Sequence, residues 1–398
     1  MSAKTPATNQ HTTAFSESAV VSEDRGDDFK QTVAIVLDSG SGYTKAGFSG
    51  DERPQTMIKS STGMFIGNRW NTKKSEELDY YIGHNIPRKD LVMKKPITHG
   101  IVTDWDALEK LWHHVFYREL QVCPEEHGIL VTDPPFTPST NREKTAEVLF
   151  EGFEVPAIYL APQSVLSIYS YGRLTGLVVD SGSGCTYVSP VYNGYCLPHA
   201  TSRLDLAGQA LNEHLSKLAA EAGHCFSSKG ISIVQDMKEK CCYVSEDLGK
   251  ELRSEEQGYL MDYLLPDGNT ITLGSQRFLC PEILFCPSTV GVSQPGMHIM
   301  AMNSLKKCAT EHQAVMMKNV AACGGSSLLP GFSERLKTEM LKLVPQGSPV
   351  TVLSGPHRQF SSWVGGSIIT CLSSFQSMWV KKQEYMERGP TIMHSKCY

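Results

Sequence analysis

The sequence predicts an α/β fold in which two related domains face each other across a cleft. One observation is an internal repeat, because the pentapeptide Asp-Ser-Gly-Ser-Gly occurs at residues 38–42 and again, letter for letter, at residues 180–184. A short apolar run precedes each copy, at residues 33–37 and 177–179, and a strand-like stretch follows it. The length of 398 residues is also enough for two domains. A repeat of strand, tight turn and strand therefore predicts two related halves.

The repeated turn has the composition of an anion-binding loop. Its glycines permit a positive φ and leave backbone N–H groups uncovered, which suits a phosphate. One such turn would fit an ordinary hairpin equally well. Two copies favour a pair of phosphate loops facing one cleft. The candidate residues in these loops are Ser39, Gly40, Ser41, Gly42, Ser181, Gly182, Ser183 and Gly184.

Composition excludes several classes of function. The formal net charge of −5 leaves no overall basic footprint, so direct nucleic-acid binding is not expected. The 12 cysteines form no C-x-x-C pair and are expected to be reduced core residues. There is neither an apolar run of 18 residues nor a signal-peptide pattern, which predicts a soluble intracellular protein without a transmembrane segment.

Local patterns predict the elements of the first half. Residues 1–30 are too polar to bury and are expected to be a disordered extension, with a short adhesive segment at residues 15–21 as the alternative. Lys45 follows the first loop on a strand and either aims its ammonium at the bound phosphate or is a solvated edge lysine. The polar stretch at residues 60–95 has no helical period and is interpreted as an exposed insertion.

Apolar spacing indicates helices on either side of the second loop. A helix is predicted over residues 104–120 with Asp104 as its cap, and His113 and His114 on it are interpreted as structural. Gln163 opens a helix predicted to end at residue 171. Its amide either orients a water molecule or is only a helix cap. Further helices are predicted over residues 206–221, 233–244, 300–319, 331–343 and 366–383, with a hairpin around residues 266–269.

A third glycine loop contains Gly324, Gly325 and Ser326 and precedes one of these helices. A helix that begins after a glycine loop receives a phosphate or packs against a flat ligand, and an adenosine would suit this position.

Several longer motifs together resemble the actin family over residues 33–398. They are the first loop with Lys45-Ala46-Gly47-Phe48, Trp112-His113-His114, Asn141-Arg142-Glu143-Lys144, Gly324-Gly325 with Pro330-Gly331, Trp363-Val364-Gly365-Gly366-Ser367-Ile368 and Lys396-Cys397-Tyr398. Within that family the chain is most similar to the divergent testis-type actin-like proteins, which share Asp133-Pro134-Pro135-Phe136 and a final tyrosine. Those relatives are components of the sperm-head cytoskeleton.

The resemblance implies an actin-like ATPase-domain fold of four subdomains around a central nucleotide cleft. Subdomain 1 would comprise residues 31–59, 97–170 and 361–398, and residues 60–96 would form the inserted subdomain 2. Subdomain 3 would comprise residues 171–206 and 293–360, and residues 207–292 would form subdomain 4.

The resemblance also implies ATP or ADP bound with Mg²⁺ or Ca²⁺ between the loops. Asp38 and Asp180 would hold the metal, Lys45 would bind phosphate, and Gln163 would be the catalytic residue that positions the attacking water. The remaining residues that match the nucleoside pocket are Gly208, Lys238, Glu239, Gly324, Gly325 and Ser326.

Four departures from actin fall in the same cleft. Ser183 replaces an aspartate and Tyr187 replaces a histidine, both of which help to activate water in actin. Losing a positioned proton-transfer group typically costs about 10²–10⁴ in rate. Leu329 replaces a tyrosine that faces the adenine, and Gln359 replaces a lysine beside the base. The resemblance therefore implies weakened nucleotide binding and at most a weak ATPase.

The surfaces that matter for polymers have diverged unequally. The insertion that reaches the next subunit in actin differs almost completely, and residues 288–292, which match an apolar interstrand plug, have lost their largest side chains. A homo-filament is therefore not expected. The groove between subdomains 1 and 3, where partner helices dock in actin, keeps an apolar set, although these residues could instead belong to the core. The set is Tyr169, Ile369, Leu372 and Phe375.

The sequence thus favours a structural and interaction protein of the germ-cell cytoskeleton with a degenerate ATP-binding cleft. Its expected partners are cytoskeletal or perinuclear-theca proteins that dock in the groove. Its expected location is the cytoplasm and the cytoskeleton of the sperm head, in the perinuclear or subacrosomal region or at the nuclear periphery. The alternatives are an active polymerising ATPase, a nuclear actin-related subunit of a chromatin complex, and a sugar kinase or chaperone ATPase of the wider superfamily, the last disfavoured by the actin-type C-terminus.

Overall fold

The computed structural model of the chain describes Phe29 and residues 32–65, 80–83, 91–226 and 230–397. Nearly all of the predicted disordered extension and the middle of the 60–95 insertion lie outside these described residues, so those expectations stay predictions. Strands and helices are numbered below in chain order.

The strands of the described residues vary from two to seven residues in length. They are β1 (Ile35–Ser39), β2 (Tyr43–Phe48), β3 (Thr56–Lys59), β4 (Thr62–Phe65), β5 (Tyr80–Ile82), β6 (Leu91–Lys94), β7 (Ile97–Thr98), β8 (Ile101–Val102), β9 (Ile129–Asp133), β10 (Ala157–Pro162), β11 (Gly176–Ser181), β12 (Thr186–Tyr192), β13 (Tyr195–Cys196), β14 (Ser202–Leu204), β15 (Met261–Leu264), β16 (Thr270–Leu273), β17 (Val320–Cys323), β18 (Val352–Leu353) and β19 (Val380–Lys381).

The α-helices of the same residues alternate with the strands from β8 to β11 and again from β17 to β19. They are α1 (Trp105–His114), α2 (Ser139–Glu147), α3 (Gln163–Tyr169), α4 (Gly208–Glu221), α5 (Ile231–Cys241), α6 (Leu248–Glu251), α7 (Gln276–Glu282), α8 (Met297–Lys306), α9 (Thr310–Lys318), α10 (Phe332–Leu341), α11 (Ser361–Thr370), α12 (Lys382–Arg388) and α13 (Ile392–Lys396).

The first domain is built on a six-stranded sheet with the order β19-β10-β9-β1-β2-β3. Its centre is β1, which pairs in parallel with β9 and antiparallel with β2. Ile35, Val36 and Leu37 are fully buried, and helix α11 packs against this strand. The continuous apolar run before the first loop is therefore a central buried strand.

The second domain repeats this arrangement in the order β13-β12-β11-β17-β18. Its central strand β11 pairs antiparallel with β12 and in parallel with β17, as β1 does with β2 and β9. Each copy of the repeated pentapeptide thus joins a central strand to its antiparallel neighbour. The prediction of two related α/β domains is confirmed.

Smaller sheets complete the outer parts of both domains. Strand β4 lies between β5 and β6 in a three-stranded antiparallel sheet, so the described part of the predicted insertion is strand rather than irregular chain. Strands β15 and β16 form the hairpin predicted around residues 266–269, with Gly268 at φ 88° in the turn.

The predicted helix over residues 104–120 begins where expected. The Asp104 side chain accepts a hydrogen bond of 2.9 Å from the backbone N–H of Ala107 and caps α1. The helix then widens into a π-helical turn at Val115–Leu120. His113 stacks on Tyr117 and His114 contacts Glu119, which agrees with structural roles for both histidines.

Two predicted long helices are wrong. Residues 300–319 form the end of α8 and all of α9. The helical path is interrupted between them, where the side chain of Cys308 is buried and the backbone of Ala309 is extended. Residues 366–383 are not one helix either, since α11 ends at Thr370 and is followed by a short 3-10 turn at Ser373–Ser377 and by strand β19. The reversal carries Phe375 into the core of the first domain.

The cysteines are free thiols throughout the described residues, and most of them lie in the core. The expectation that all of them are core residues is wrong, because Cys123, Cys225 and Cys371 are exposed. Among these same residues, no helix is both long enough and apolar enough to span a bilayer.

Phe29 corrects the boundary of the predicted extension. Its side chain is only 5% exposed, and its ring meets that of Trp379 edge-on with centroids 6.1 Å apart. The ordered first domain therefore includes a residue that the sequence analysis assigned to the extension.

We predict that Phe29→Ala lowers the free energy of unfolding by about 3 kcal/mol, the usual cost of truncating a buried phenylalanine. Deletion of residues 1–28, which the sequence predicts to be disordered, should leave the unfolding free energy nearly unchanged. Urea denaturation of the two variants measures both effects. Equal loss of stability in both would contradict the boundary at Phe29.

Candidate functional site

The two repeated loops have the same local geometry. In the first, the N–H of Gly40 donates to the carbonyl of Tyr43 at 3.0 Å, and in the second the N–H of Gly182 donates to the carbonyl of Cys185 at 3.1 Å. The strand registers also agree, because Asp38 lies opposite Lys45 and Asp180 lies opposite Tyr187. Identical sequence has produced the same closed turn in each domain.

The loops contact each other, as the repeat predicts. A Cβ at Gly42 would lie 2.7 Å from the Cβ of Ser183, and a Cβ at Gly184 would lie 2.9 Å from that of Ser41. The last glycine of each copy therefore meets the second serine of the other. Only hydrogen fits at these two positions, so glycine lets the loops, and with them the domains, come together.

A cavity of about 940 Å³ lies between the two domains at these loops. It brings together all the predicted phosphate, metal and nucleoside residues except Ser181. The predicted residues that line it are Asp38, Ser39, Gly40, Ser41, Gly42, Lys45, Gln163, Asp180, Gly182, Ser183, Gly184, Gly208, Lys238, Glu239, Gly324, Gly325 and Ser326.

Ser181 is a correction to the predicted cradle. It is fully buried and its hydroxyl lies 3.0 Å from the hydroxyl of Thr186 in the adjacent strand. Its position in the antiparallel pair turns the side chain into the domain and away from the cleft, so it stabilises the turn.

Asp38 is the most strongly held carboxylate of the site. Lys45 Nζ donates to its Oδ2 at 2.7 Å, Thr132 Oγ1 to its Oδ1 at 2.6 Å, and Ser362 Oγ to its Oδ2 at 3.3 Å. Burial alone would raise the pKa of Asp38. The positive charge of Lys45 and the hydrogen bonds from Lys45, Thr132 and Ser362 outweigh this effect and bring the pKa below its usual value. Asp38 is therefore a carboxylate at neutral pH.

Lys45 is not a solvated edge lysine. Its side chain is 16% exposed and pairs with Asp38 at the floor of the cleft. A partly buried ammonium at the mouth of a glycine loop provides the positive charge that a phosphate needs.

Asp180 has the opposite electrostatic environment. Burial raises its pKa to about 6, the charge of Lys45 lowers it in part, and the nearby charge of Asp38 raises it further. Part of its surface opens to the cleft. A cation that entered between Asp38 and Asp180 would relieve their repulsion and favour the ionised form of Asp180.

These residues fit a nucleotide with a divalent cation. Two carboxylates face one cavity, which is the oxygen donor set that Mg²⁺ and Ca²⁺ prefer. The donors to Asp38 already occupy both of its oxygens, which suits an ion that keeps part of its water shell. Asp38 and Asp180 would hold that ion, and it would neutralise phosphate charge beside Lys45.

Gln163 opens α3 beside the first loop. Its Nε2 donates to Asp38 Oδ1 and to Thr132 Oγ1, both at 3.2 Å. The nitrogen end of the amide is thus held in place, and the carbonyl end remains to accept a hydrogen bond from a water molecule in the cleft. Its position is compatible with the water-positioning role, which stays a prediction.

At positions 183 and 187, the second hairpin carries no side chain that exchanges a proton near pH 7. Ser183 offers only a hydroxyl, and Tyr187 is 6% exposed with its ring 5.8 Å from the guanidinium of Arg203. Burial raises the pKa of Tyr187 above its ordinary value. At neutral pH the phenol therefore keeps its proton and cannot remove one from water.

The nucleoside side of the cleft is shaped by the second domain. Lys238 Nζ donates to the carbonyl of Gly208 at 3.0 Å, and burial lowers the pKa of Lys238. Ser326 Oγ donates to the carbonyl of Gly182 at 2.7 Å and ties the third glycine loop to the second. Gly324 has φ 84°, and a Cβ there would lie 2.5 Å from Asp180 Oδ1, so this position requires glycine.

One residue of the predicted partner groove belongs to the core, and the docking role of the others stays a prediction. Phe375 is 3% exposed and packs between Tyr159 and Trp379, at centroid distances of 5.1 and 5.0 Å, so it is a core residue. Tyr169 and Ile369 are partly buried against the cores, whereas Leu372 is 50% exposed. The exposed apolar surface here consists of Leu372 and Ile368, the latter 43% exposed.

Sequence reasoning missed several residues of the site. Thr132 is the penultimate residue of β9, the parallel neighbour of β1. Because the carboxyl ends of neighbouring parallel strands meet at one sheet edge, this position would have identified it. Ser362 on α11 donates a hydrogen bond to Asp38, more than 300 residues earlier in the chain. No local sequence pattern identified this serine as a site residue. Tyr43 was also missed, although it directly follows the first loop.

The two carboxylates should respond in opposite ways to neutralisation. Because the pKa of Asp180 rises from its ordinary 3.8 to about 6 in the folded protein, its ionisation destabilises the fold as the pH rises from about 4 to 6, by at most about 3 kcal/mol in total. We predict that Asp180→Asn raises the melting temperature of the metal-free protein, more at pH 7.5 than at pH 5.

Asp38→Asn is the matched control and should lower the melting temperature, because it leaves the partly buried ammonium of Lys45 beside a neutral amide. Differential scanning fluorimetry in a chelator at both pH values makes the comparison. A lower melting temperature for Asp180→Asn at pH 7.5 would contradict the assigned electrostatics.

Comparison with known proteins agrees with this geometry. The family model described as Actin matches residues 29–398. Human actin-like protein 9 is 44% identical over 372 residues, covering 92% of this chain and 89% of its own length. Mouse actin-like protein 7B is 42% identical, with 92% and 88% covered, and bovine actin-like protein 7A is 42% identical, with 92% and 84% covered. With its repeated loops, two related domains and these matches, the chain belongs to the actin family.

Proposed function

We propose that this protein is a structural and interaction component of the germ-cell cytoskeleton whose cleft holds ATP or ADP with Mg²⁺ or Ca²⁺ but hydrolyses ATP slowly. The observation that carries the proposal is the contrast within the cleft. Asp38 and Lys45 stand opposite each other in the first hairpin, whereas Asp180 stands opposite a buried, protonated Tyr187 in the second.

The phosphate side supports binding. The glycine loops, the partly buried ammonium of Lys45 and the two carboxylates lie together around one cavity. A bound cation would neutralise the terminal phosphates beside this lysine, and the third glycine loop would receive the nucleoside. Binding of the phosphates and their cation therefore needs no group that the chain lacks.

The hydrolytic side supports slow turnover. Gln163 offers a carbonyl that can orient water, but neither Ser183 nor Tyr187 can accept its proton at neutral pH. Orientation without proton transfer retains only part of a catalytic rate. Nucleotide would then serve chiefly to stabilise the closed form of the protein.

The resemblance to testis-type actin-like proteins supports the site of action. We place the protein in the cytoplasm and cytoskeleton of the sperm head, in the perinuclear theca or subacrosomal region or at the nuclear periphery. Its partners would be cytoskeletal or theca proteins that dock at two exposed apolar residues, Ile368 in α11 and Leu372 just after that helix. Homo-filaments are not part of this proposal, because the polymer-contact segments differ from those of actin.

A second candidate is an ATP-hydrolysing, polymerising actin. The retained positions of Asp38, Lys45, Asp180 and Gln163 around the cavity favour it. The two candidates differ in turnover and not in binding, so a hydrolysis assay separates them.

We predict that the purified protein binds ATP with Mg²⁺ but turns it over more slowly than a conventional actin. The double variant Ser183→Asp, Tyr187→His should raise turnover at least about tenfold, because it restores groups that handle a proton near pH 7. Single-turnover phosphate release measures the effect.

The control for added negative charge is Ser288→Asp, at an exposed position outside the cleft. It should leave the rate unchanged. A native rate equal to that of conventional actin would favour the second candidate, and absence of ATP binding would refute the proposed cofactor.

We also predict that Leu372→Asp removes binding to the detergent-extracted cytoskeletal fraction of sperm heads, because it places a charge in the exposed apolar surface. Its thermal stability should stay close to that of the native protein, as for most surface substitutions. Co-sedimentation measures binding. Leu264→Asp, at a 67% exposed leucine of the β15–β16 hairpin, is the control and should bind normally. Normal binding by Leu372→Asp would contradict the docking surface.

A further inference from the structure

One hydrogen bond crosses the cleft on its nucleoside side. Gln235 on α5, in the second domain, donates from Nε2 to the hydroxyl of Tyr43 on β2, in the first domain, at 3.0 Å. Both residues line the cavity. Neither was among the residues predicted to contact a ligand.

Tyr43 is held firmly on its own side. Its carbonyl accepts the hydrogen bond that closes the first loop, and it pairs with Lys59 in the register of β2 and β3. The side chain is half-buried, and burial raises the pKa of the phenol, so its hydroxyl remains neutral at physiological pH. The hydroxyl is therefore a fixed partner on the rim of the phosphate loop.

Gln235 makes a second bond with the same nitrogen. Nε2 also donates to Glu239 Oε1 at 2.8 Å, one helical turn further along α5. An amide NH₂ has two hydrogens, so one group satisfies both acceptors. Glu239 belongs to the set that lines the nucleoside side of the cavity. The three residues form one chain from the first domain to that carboxylate.

Other bonds between the domains lie beside the phosphate loops. His99 Nδ1 is 2.7 Å from the carbonyl of Gly184, and Arg203 Nη2 donates to the carbonyl of His99 at 3.0 Å. These contacts join the domains where the loops already touch. The hydrogen bond from Gln235 to Tyr43 instead joins the first glycine loop to α5, the helix that carries Lys238 and Glu239. This hydrogen bond has to break when the cleft opens between that loop and α5.

We propose that Tyr43 and Gln235 form a latch that keeps the cleft closed over a bound nucleoside and orients Glu239, and thereby slows nucleotide release. Both are positioning residues that act through closure and through Glu239. The inference rests on the proposed function for the identity of the ligand, a nucleotide, and goes beyond it by assigning a rate-controlling contact to residues outside the loops.

The test uses a fluorescent etheno-ATP loaded with Mg²⁺ and chased with unlabelled ATP. Tyr43→Phe removes only the hydroxyl and should release the probe about two- to tenfold faster, the range expected for one hydrogen bond. Gln235→Leu loses both bonds and should release it at least as fast. The double variant should be no faster than Gln235→Leu, because both substitutions break the same bond.

Tyr263→Phe is the matched control. The hydroxyl of Tyr263 donates to Asp236 at 2.6 Å, so this variant also removes a tyrosine hydrogen bond to α5, but one that does not cross the cleft. It should release the probe at the native rate. A native release rate for Tyr43→Phe, or an equal acceleration by Tyr263→Phe, would overturn the latch.

Hydrogen–deuterium exchange of the nucleotide-free protein tests the latch even if no nucleotide binds. Tyr43→Phe should speed exchange in residues 39–43 and 231–239 more than Tyr263→Phe does, because the cleft would open more often. Failure of native protein to bind etheno-ATP refutes the proposed cofactor. Unchanged exchange in Tyr43→Phe refutes the latch.

Discussion

The contact between the two glycine loops is the constraint on which the rest of the site depends. Gly42 meets Ser183 and Gly184 meets Ser41, with no room for a side chain on either glycine. The contact sets the separation of the two domains at the cleft floor. A cavity of nucleotide size, and the approach of one carboxylate from each domain, follow from that separation. A methyl group at either glycine would push the halves apart and change every distance across the cleft.

Equal geometry does not give the two loops equal chemistry. Asp38 lies opposite Lys45 in the first hairpin, whereas Asp180 lies opposite Tyr187 in the second. Lys45 lowers the pKa of Asp38, but the residue opposite Asp180 carries no positive charge, and burial raises the pKa of Asp180. One half of the site is therefore a permanent ion pair and the other a carboxyl that gains from a bound cation. Together with the protonated Tyr187, this asymmetry supports our proposal that the cleft holds a nucleotide and hydrolyses it slowly.

Local signals predicted the parts of the molecule that local interactions create. The loops, the strand after each of them, the Asp104 cap and the β15–β16 hairpin follow from glycine, from apolar periodicity and from side-chain capping, which act over a few residues. The errors lie where distant segments meet. Phe29 is ordered by Trp379, and the chain after Thr370 leaves the helical path because Phe375 packs between Tyr159 and Trp379.

The sequence by itself determined that two copies of one glycine-loop hairpin exist, that each follows a buried strand, and that Lys45 accompanies only the first. Only the tertiary structure decided how these parts act together. The pKa of Asp180 depends on burial and on Asp38 from the other domain, and the bond from Tyr43 to Gln235 joins residues of separate domains. Such effects arise from solvent exclusion and from distances across the cleft, which exist only after both domains have folded and closed on each other.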